Sequence, residues 1–278
     1  MSRRLIAVTA LVVTAAALTA CSGSTTPAES SSSEAGSDFG LVNDGVLTVA
    51  TEGTYRPFSF HGDGGTGDLT GFDVEIIQAV ADKLDLEIEF QETQWDAIFA
   101  GLDAGRFDLI ANQVSINEER QEKYLFSTPY TVSPGVIVVA EDDDSISSFD
   151  DLEGKTTAQS LTSNWYELAT ESGATVEGVE GWAQAVELLR QGRVDATVND
   201  KLTFLDYEIT NSPSGLKIAA ETEEAGEQAF VFTKDKTDLV EAVDGALEEL
   251  RADGTLAEIS DKYLSLIHIS EPTRLGMI

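Results

Sequence analysis

A chain of 278 residues has room for one or two domains, and its 42% hydrophobic content supplies a sizeable core, which excludes wholesale disorder. The 17 Lys plus Arg against 50 Asp plus Glu leave a formal charge of -33, without the cationic footprint that nucleic acid or anionic lipid demands. One cysteine permits no internal disulfide, and two histidines with two methionines leave little material for a metal centre, so no cofactor is expected.

The first 21 residues read MSRRLIAVTALVVTAAALTAC. Arg3 and Arg4 precede an apolar run from Leu5 to Leu18, about 14 residues where a membrane span needs about 20, which suits an export signal over residues 1–20. Leu18, Thr19 and Ala20 then lead into the single cysteine, and LTAC resembles a bacterial lipoprotein box. The resemblance implies a diacylglyceryl thioether on Cys21 and attachment to the outer face of the cytoplasmic membrane. After it, SGSTTPAESSSSEAGSDFG offers nothing to bury before Phe39, so residues 21–40 are expected to form a flexible tether.

The body begins near residue 41. VLTVA at 46–50 reads as a strand, and GFDVEIIQAVADKLDL as a helix with Val74, Ile77, Val80, Ala81 and Leu84 on one side. LEIEF at 86–90 is strand-like, QWDAIFAGLDAG is a helix ended by Gly105, and RFDLIAN is a buried strand leading to Gln113. Strands alternating with helices predict an α/β fold with parallel pairing. The pattern then repeats. Trp95 stands 10 residues before Gly105 and 17 before Asn112; Trp182 stands 10 before Gly192 and 17 before Asn199, and both copies carry Gly-Arg-hydrophobic-Asp. Two α/β lobes of related design follow from this. Ligands of open α/β sheets collect at the C-terminal ends of strands, so the segments after Asn112 and Asn199 are expected to line a shared cleft. Strand-like runs at 134–140 and 226–232 are the expected hinges. From Leu264 onward, LSLIHISEPTRLGMI departs from the acidic body and resembles translated sequencing-adapter DNA, so residues 264–278 are expected to be a non-native tail.

The stretches GTYRPFSF, LTGFDVEIIQAVADKL, GLDAGRFDLIANQVSINEER, FSTPYTVS and GRVDATVND resemble the polar amino acid-binding proteins of bacterial ABC importers, and IANQVSINEERQEKYLFSTPYTVS with TTAQSLTSNWYELA is most similar to the cystine-binding members. That resemblance implies a bilobed periplasmic-binding-protein-like α/β fold of type II, with two lobes around a cleft joined by a two-strand hinge. Lobe 1 would comprise residues 41–135 and 229–263, and lobe 2 residues 136–228. It also implies a monomer that captures L-cystine or another polar amino acid and delivers it to an ABC permease with its cytoplasmic ATPase.

Carried over residue by residue, the resemblance puts Arg120 on the ligand α-carboxylate, a role that its guanidinium fork suits. Asp200 would take the ligand ammonium, with Glu52 touching the ammonium or a distal polar group. Tyr55 and Trp95 would stack around the side chain, with Phe60 completing that wall. Gln113, Ser115, Ser160, Thr162 and Ser163 would add neutral polar contacts. Trp182 is assigned to the core, and Asn112 to bracing the loop. The second carboxylate of cystine has no clear partner, Arg56 being a candidate by proximity alone. Reference pKa values predict binding from about pH 4 to 8. Competing functions are a receptor for glutamine or histidine, a cyclic-acid dehydratase, for which the cleft lacks a free acid or base, and a sensor domain.

Overall fold

The computed structural model describes residues 39–269. The export signal, Cys21, the tether up to residue 38 and the tail from residue 270 lie outside them. The first part of the chain runs through β1 (Val46–Thr51), then β2 (Thr54–Tyr55) and β3 (Ser59–His61), a short helical turn α1 (Gly62–Gly65), and β4 (Leu69–Thr70). It continues with α2 (Phe72–Lys83), β5 (Glu87–Glu92), α3 (Trp95–Asp103), β6 (Leu109–Ser115), α4 (Glu118–Lys123), β7 (Tyr124–Phe126) and β8 (Thr131–Ser133). The middle part comprises β9 (Gly135–Ala140), β10 (Thr156–Gln159), α5 (Asn164–Glu171), β11 (Thr175–Gly178), α6 (Trp182–Arg190), β12 (Thr197–Asp200), α7 (Lys201–Thr210) and β13 (Leu216–Glu221). The chain then returns through β14 (Gly226–Thr233), α8 (Thr237–Asp253) and α9 (Thr255–Ile269).

These segments build two α/β lobes. The sheet of lobe 1 has the order β5-β1-β6-β14-β7, with β8 also on β14; β1 is parallel to β5 and β6, and β14 runs antiparallel to its neighbours. Strand alternation feeds apolar side chains to both faces. Leu47, Val49, Leu109, Phe230 and Phe232 go to a core under α2 and α8, while Ala50, Ile110, Val114 and Val231 meet Ile98 and Leu102 of α3 on the other side. In lobe 2, β12-β9-β13 and the parallel pair β10-β11 are joined through the Thr157 to Ala196 bridge. Val136 and Val138 face one core, and Ile137 and Val139 the other.

The repeated motif has the same local geometry in both lobes. α3 and α6 each begin at the tryptophan, and Gly105 and Gly192 both take φ +65°, the left-handed cap that glycine tolerates best. In each copy the following arginine donates its N–H back into the helix at 3.0 Å, to Gly101 or Leu188. The aspartate then clamps the neighbouring strand. Asp108 accepts the Thr48 N–H at 2.9 Å and Asp195 accepts the Thr156 N–H at 2.7 Å.

Two expected boundaries shift. β9 lies within the lobe 2 sheet and β14 within the lobe 1 sheet, so these strands flank the crossings rather than form them. The chain crosses at Pro134 and at 222–225, and residues 226–228 belong with lobe 1. At the crossing, Gly135 N–H donates to Thr222 Oγ1 at 3.1 Å and Thr222 N–H to the Gly135 carbonyl at 2.9 Å, so the two passages are tied to each other. The second shift is at the end of the body. α9 continues past Tyr263, and Leu264, 3% exposed, packs in the main lobe 1 core. A tail boundary at 264 therefore cuts through a packed helix.

Candidate functional site

The cleft between the lobes is walled by aromatic side chains. All three tryptophans of the chain, Trp95, Trp165 and Trp182, line one inner cavity of about 40 Å³ together with Tyr55. Trp95 is the first residue of α3 and Trp182 the first of α6, so the motif repeated in sequence delivers one indole from each lobe. Trp165 reaches the cleft because Gly135 leaves room, since a Cβ there would meet the indole at 2.5 Å. An adjoining cavity of about 220 Å³ shares Glu52, Tyr55, Gly181 and Trp182 with the inner one and adds Gln94, Glu180 and Gln184. A third, of about 230 Å³, is lined by Phe99, Arg120, Thr162 and Glu167.

Three carboxylates stand at or behind this wall, Asp73 and Asp200 buried and Glu52 half-buried. Glu52 follows β1; its N–H donates to Asn112 Oδ1 at 2.8 Å, and Asn112 Nδ2 donates to Glu52 Oε2 at 2.6 Å. Asn112 therefore braces this turn. Burial pushes the Glu52 carboxyl up to about 7 despite that bond, with Asp96 adding to the rise. Asp200, 1% exposed, caps α7 by accepting Leu202 N–H at 2.8 Å, and it also accepts Ser133 Oγ at 2.8 Å. Burial raises it to about 6. Behind it stands Asp73, fully buried at the start of α2 and pushed up to about 7 by burial, with Tyr130 Oη donating at 2.7 Å and the Gln113 N–H donating to the same oxygen. Nothing in the sequence reading singled out Asp73.

Gln113 links these groups. Its φ of +49° is unusual for a residue with a side chain, and the bond to Asp73 holds it there. Its Oε1 accepts Thr131 Oγ1 at 2.9 Å, and its Nε2 points to Asp200 Oδ2 at 3.4 Å.

The expected residues divide into groups. Glu52, Tyr55, Trp95, Gln113, Ser160 and Ser163 line the inner cavity. The Ser163 hydroxyl is committed to α5, accepting Tyr166 N–H at 3.1 Å and donating to the Ser160 carbonyl at 2.7 Å. Arg120 and Thr162 line the neighbouring cavity instead. Arg120 Nη1 donates to the Ser115 carbonyl at 2.9 Å, and the guanidinium lies 5.3 Å from the ring centres of both Trp95 and Phe99; burial lowers it to about 10. Ser115 thus serves Arg120 through its backbone. Asp200 stands directly behind Gln113, a lining residue whose Nε2 points at its carboxylate. Phe60 does not complete the wall. The Arg56 guanidinium covers its face at 3.8 Å while Arg56 Nε donates to Asp206 at 3.0 Å, and Tyr263 of α9 meets its edge, so both Arg56 and Phe60 are occupied elsewhere.

Residues the sequence reading missed include Gln159, Asn164, Trp165 and Asn199, all in the cavity wall, and Trp182 lines it as well as packing in the core. The count of three tryptophans, two of them at equivalent repeat positions, was the available signal for Trp182. For Gln159 the only signal was its place at the end of β10.

The lobes are bridged. Tyr55 Oη donates to Asn199 Oδ1 at 2.8 Å, and Thr162 Oγ1 to Asp96 Oδ1 at 2.8 Å, each joining lobe 1 to lobe 2. Two α/β lobes, a double crossing and a polar, aromatic cleft closed by such contacts define a solute receptor of the bilobed kind. The chain belongs to the bacterial extracellular solute-binding proteins, family 3, which it matches over residues 47–266. It is similar to the L-cystine-binding protein TcyA of Bacillus subtilis, 48% identical over 91% of this chain and 94% of that one. Among solved structures it resembles an ancestral arginine-binding protein bound to arginine, at TM-score 0.74 and 35% identity over 79% of this chain and 98% of that one. The L-cystine receptor of Neisseria gonorrhoeae in its unliganded open conformation is 44% identical over 80% of this chain and 94% of that one, yet its TM-score is 0.53. Better superposition on the less identical, ligand-bound protein agrees with the bridging hydrogen bonds. The lobes here are closed.

Proposed function

We propose that this protein captures L-cystine between its lobes outside the cytoplasmic membrane and delivers it to an ABC permease with its ATPase. The observation that carries this reading is the cleft wall. Four large aromatic side chains enclose a site with buried carboxylates beside it, and such rings give wide contact at small rotamer cost to a disulfide-bearing side chain. Similarity to TcyA over nearly the whole of both chains supports the ligand. In this reading Asp200 and Glu52 receive the ammonium, Gln113 orders them, and the free donors of the Arg120 fork reach the α-carboxylate. The adjoining 220 Å³ cavity gives the second amino-acid head room beside Glu180 and Gln184. Membership of the solute-binding family and similarity to an L-cystine-binding protein support a receptor rather than a dehydratase. Cys21 would carry the lipid anchor, and the body would work as a monomer.

Likeness to an arginine-binding protein keeps a second polar amino acid as the rival ligand. Calorimetry of the purified protein with L-cystine, L-glutamine, L-histidine and L-arginine separates the two. Tightest binding of L-cystine is expected; preference for any of the other three would replace the ligand while leaving the receptor class in place.

A further inference from the structure

Few buried polar side-chain atoms lack a hydrogen-bond partner among the described residues, and two of them are N–H groups on residues of the inner cavity wall. One is the indole Nε1 of Trp95, 8% exposed, on lobe 1; the other is the amide Nε2 of Gln159, 3% exposed, on lobe 2. Gln159 is not free to turn away. Its Oε1 accepts the Thr157 hydroxyl at 2.9 Å, Thr157 is fully buried, and the Gln159 carbonyl accepts Val179 N–H at 3.1 Å. An indole nitrogen is a donor only, so Trp95 has no alternative role.

A buried donor without an acceptor has lost its water and gained nothing in return. Both donors carry that cost in the closed form, and they belong to residues of one cavity wall, where a ligand acceptor entering between the lobes could remove it. We infer that Trp95 Nε1 and Gln159 Nε2 form a two-donor subsite, completed only on closure, that takes a carboxylate oxygen of the bound amino acid. The subsite rests on the amino acid receptor reading above and deepens it. It couples binding to closure, because each lobe contributes one donor and neither alone satisfies the ligand from both sides. It is separate from Arg120, whose Nη1 is engaged with Ser115. A carboxylate has two oxygens, and the arginine and the neutral pair can read one each.

The test uses the full chain with Gln159→Leu, which keeps bulk and removes the donor, and Trp95→Phe as a second variant. Calorimetry with L-cystine should show affinity about 10- to 100-fold weaker in each, the usual effect of deleting one hydrogen bond to a charged group. Small-angle X-ray scattering of the ligand-free proteins gives the second readout. Removing an unsatisfied donor relieves the closed form, so the ligand-free variants should be more compact than wild type at the same pH. A merely structural glutamine predicts lower stability with no gain in compactness. Cystine affinity within twofold of wild type in Gln159→Leu, or an unchanged or larger radius of gyration without ligand in both variants, would overturn the subsite. A wild type indifferent to L-cystine would defeat the proposed ligand, and the scattering comparison would still decide the subsite.

Discussion

Asp200 turns the proposed binding into a pH-dependent event. Its carboxyl is raised from 3.8 to about 6 by burial, against donors from Ser133, Leu202 and Gln113 that pull the other way. For an acid raised in the folded state, the ionised form destabilises the fold, and the cost grows as pH rises from the unfolded value to the folded one. At pH 7 this comes to on the order of 3 kcal/mol. A ligand ammonium offsets that cost, so binding should pull the carboxyl back down and release a proton near pH 6. Affinity should then fall about tenfold for each pH unit below about 6, since the neutral carboxyl has no charge to offer. This moves the lower edge of the binding window well above the pH 4 that reference values predict. Asp73, itself held near 7 by burial, is neutral over part of this range and spares Asp200 some repulsion. The assay is calorimetry with L-cystine at pH 5, 6 and 7, in buffers of different ionisation enthalpy to count protons. Asp200→Asn should weaken binding by about 30-fold or more at pH 7, make the acid limb shallower, with Glu52 near 7 as the group still titrating beside the ammonium, and leave the ligand-free protein at least as stable as wild type. Equal affinity at pH 5 and pH 7, with no proton released, would refute the assignment of Asp200 as the ammonium partner.

Three further outcomes follow from the packing and the leader. Leu264→Ala should cost about 2 to 5 kcal/mol in chemical denaturation, because it empties a site in the main core; no measurable loss would mean that α9 does not dock there. Asp108→Ala should destabilise by about 3 to 5 kcal/mol, since it strands Lys236 beside a fully buried site, whereas Asp195→Ala at the exposed repeat position should cost about 1 kcal/mol; paired denaturation curves check the ranking, and similar losses would count against it. Cys21→Ser should abolish palmitate incorporation in metabolic labelling, and label equal to wild type would remove the lipid anchor from the proposed function.

The fold was readable because its signals are local and repeated. Strand alternation, the glycine that stops each helix and the aspartate that clamps each strand all act within a few residues, and the two copies reinforce each other. The site was readable where the chain direction dictates the place, as for Glu52 after β1 and Trp95 at the start of α3. It was not readable where side-chain contacts that no sequence pattern carries set the direction of a group. Phe60 was drawn under Arg56 by an ion pair with Asp206, some 150 residues on. The cavity that Arg120 lines, apart from the inner one, is set by Phe99 and Glu167 on helices of different lobes. Gln159 reads as an ordinary strand end until Thr157 is seen to hold its oxygen, which leaves the nitrogen facing no acceptor.

Asp200 also touches the crossing itself, through Ser133 immediately before Pro134, and α7 behind it sends Leu202 into the lobe 1 core and Phe204 into the lobe 2 core. A group beside a pivot travels little when two bodies rotate about it. The carboxylate side of the cleft is therefore largely assembled before the lobes meet, while donors on opposing lobes must be brought together. If Asp200 receives the ammonium as proposed, capture has an order in time: the amine end of a ligand docks first, at a rate set by diffusion to a ready-made site, and the slower rotation that follows decides how long it stays.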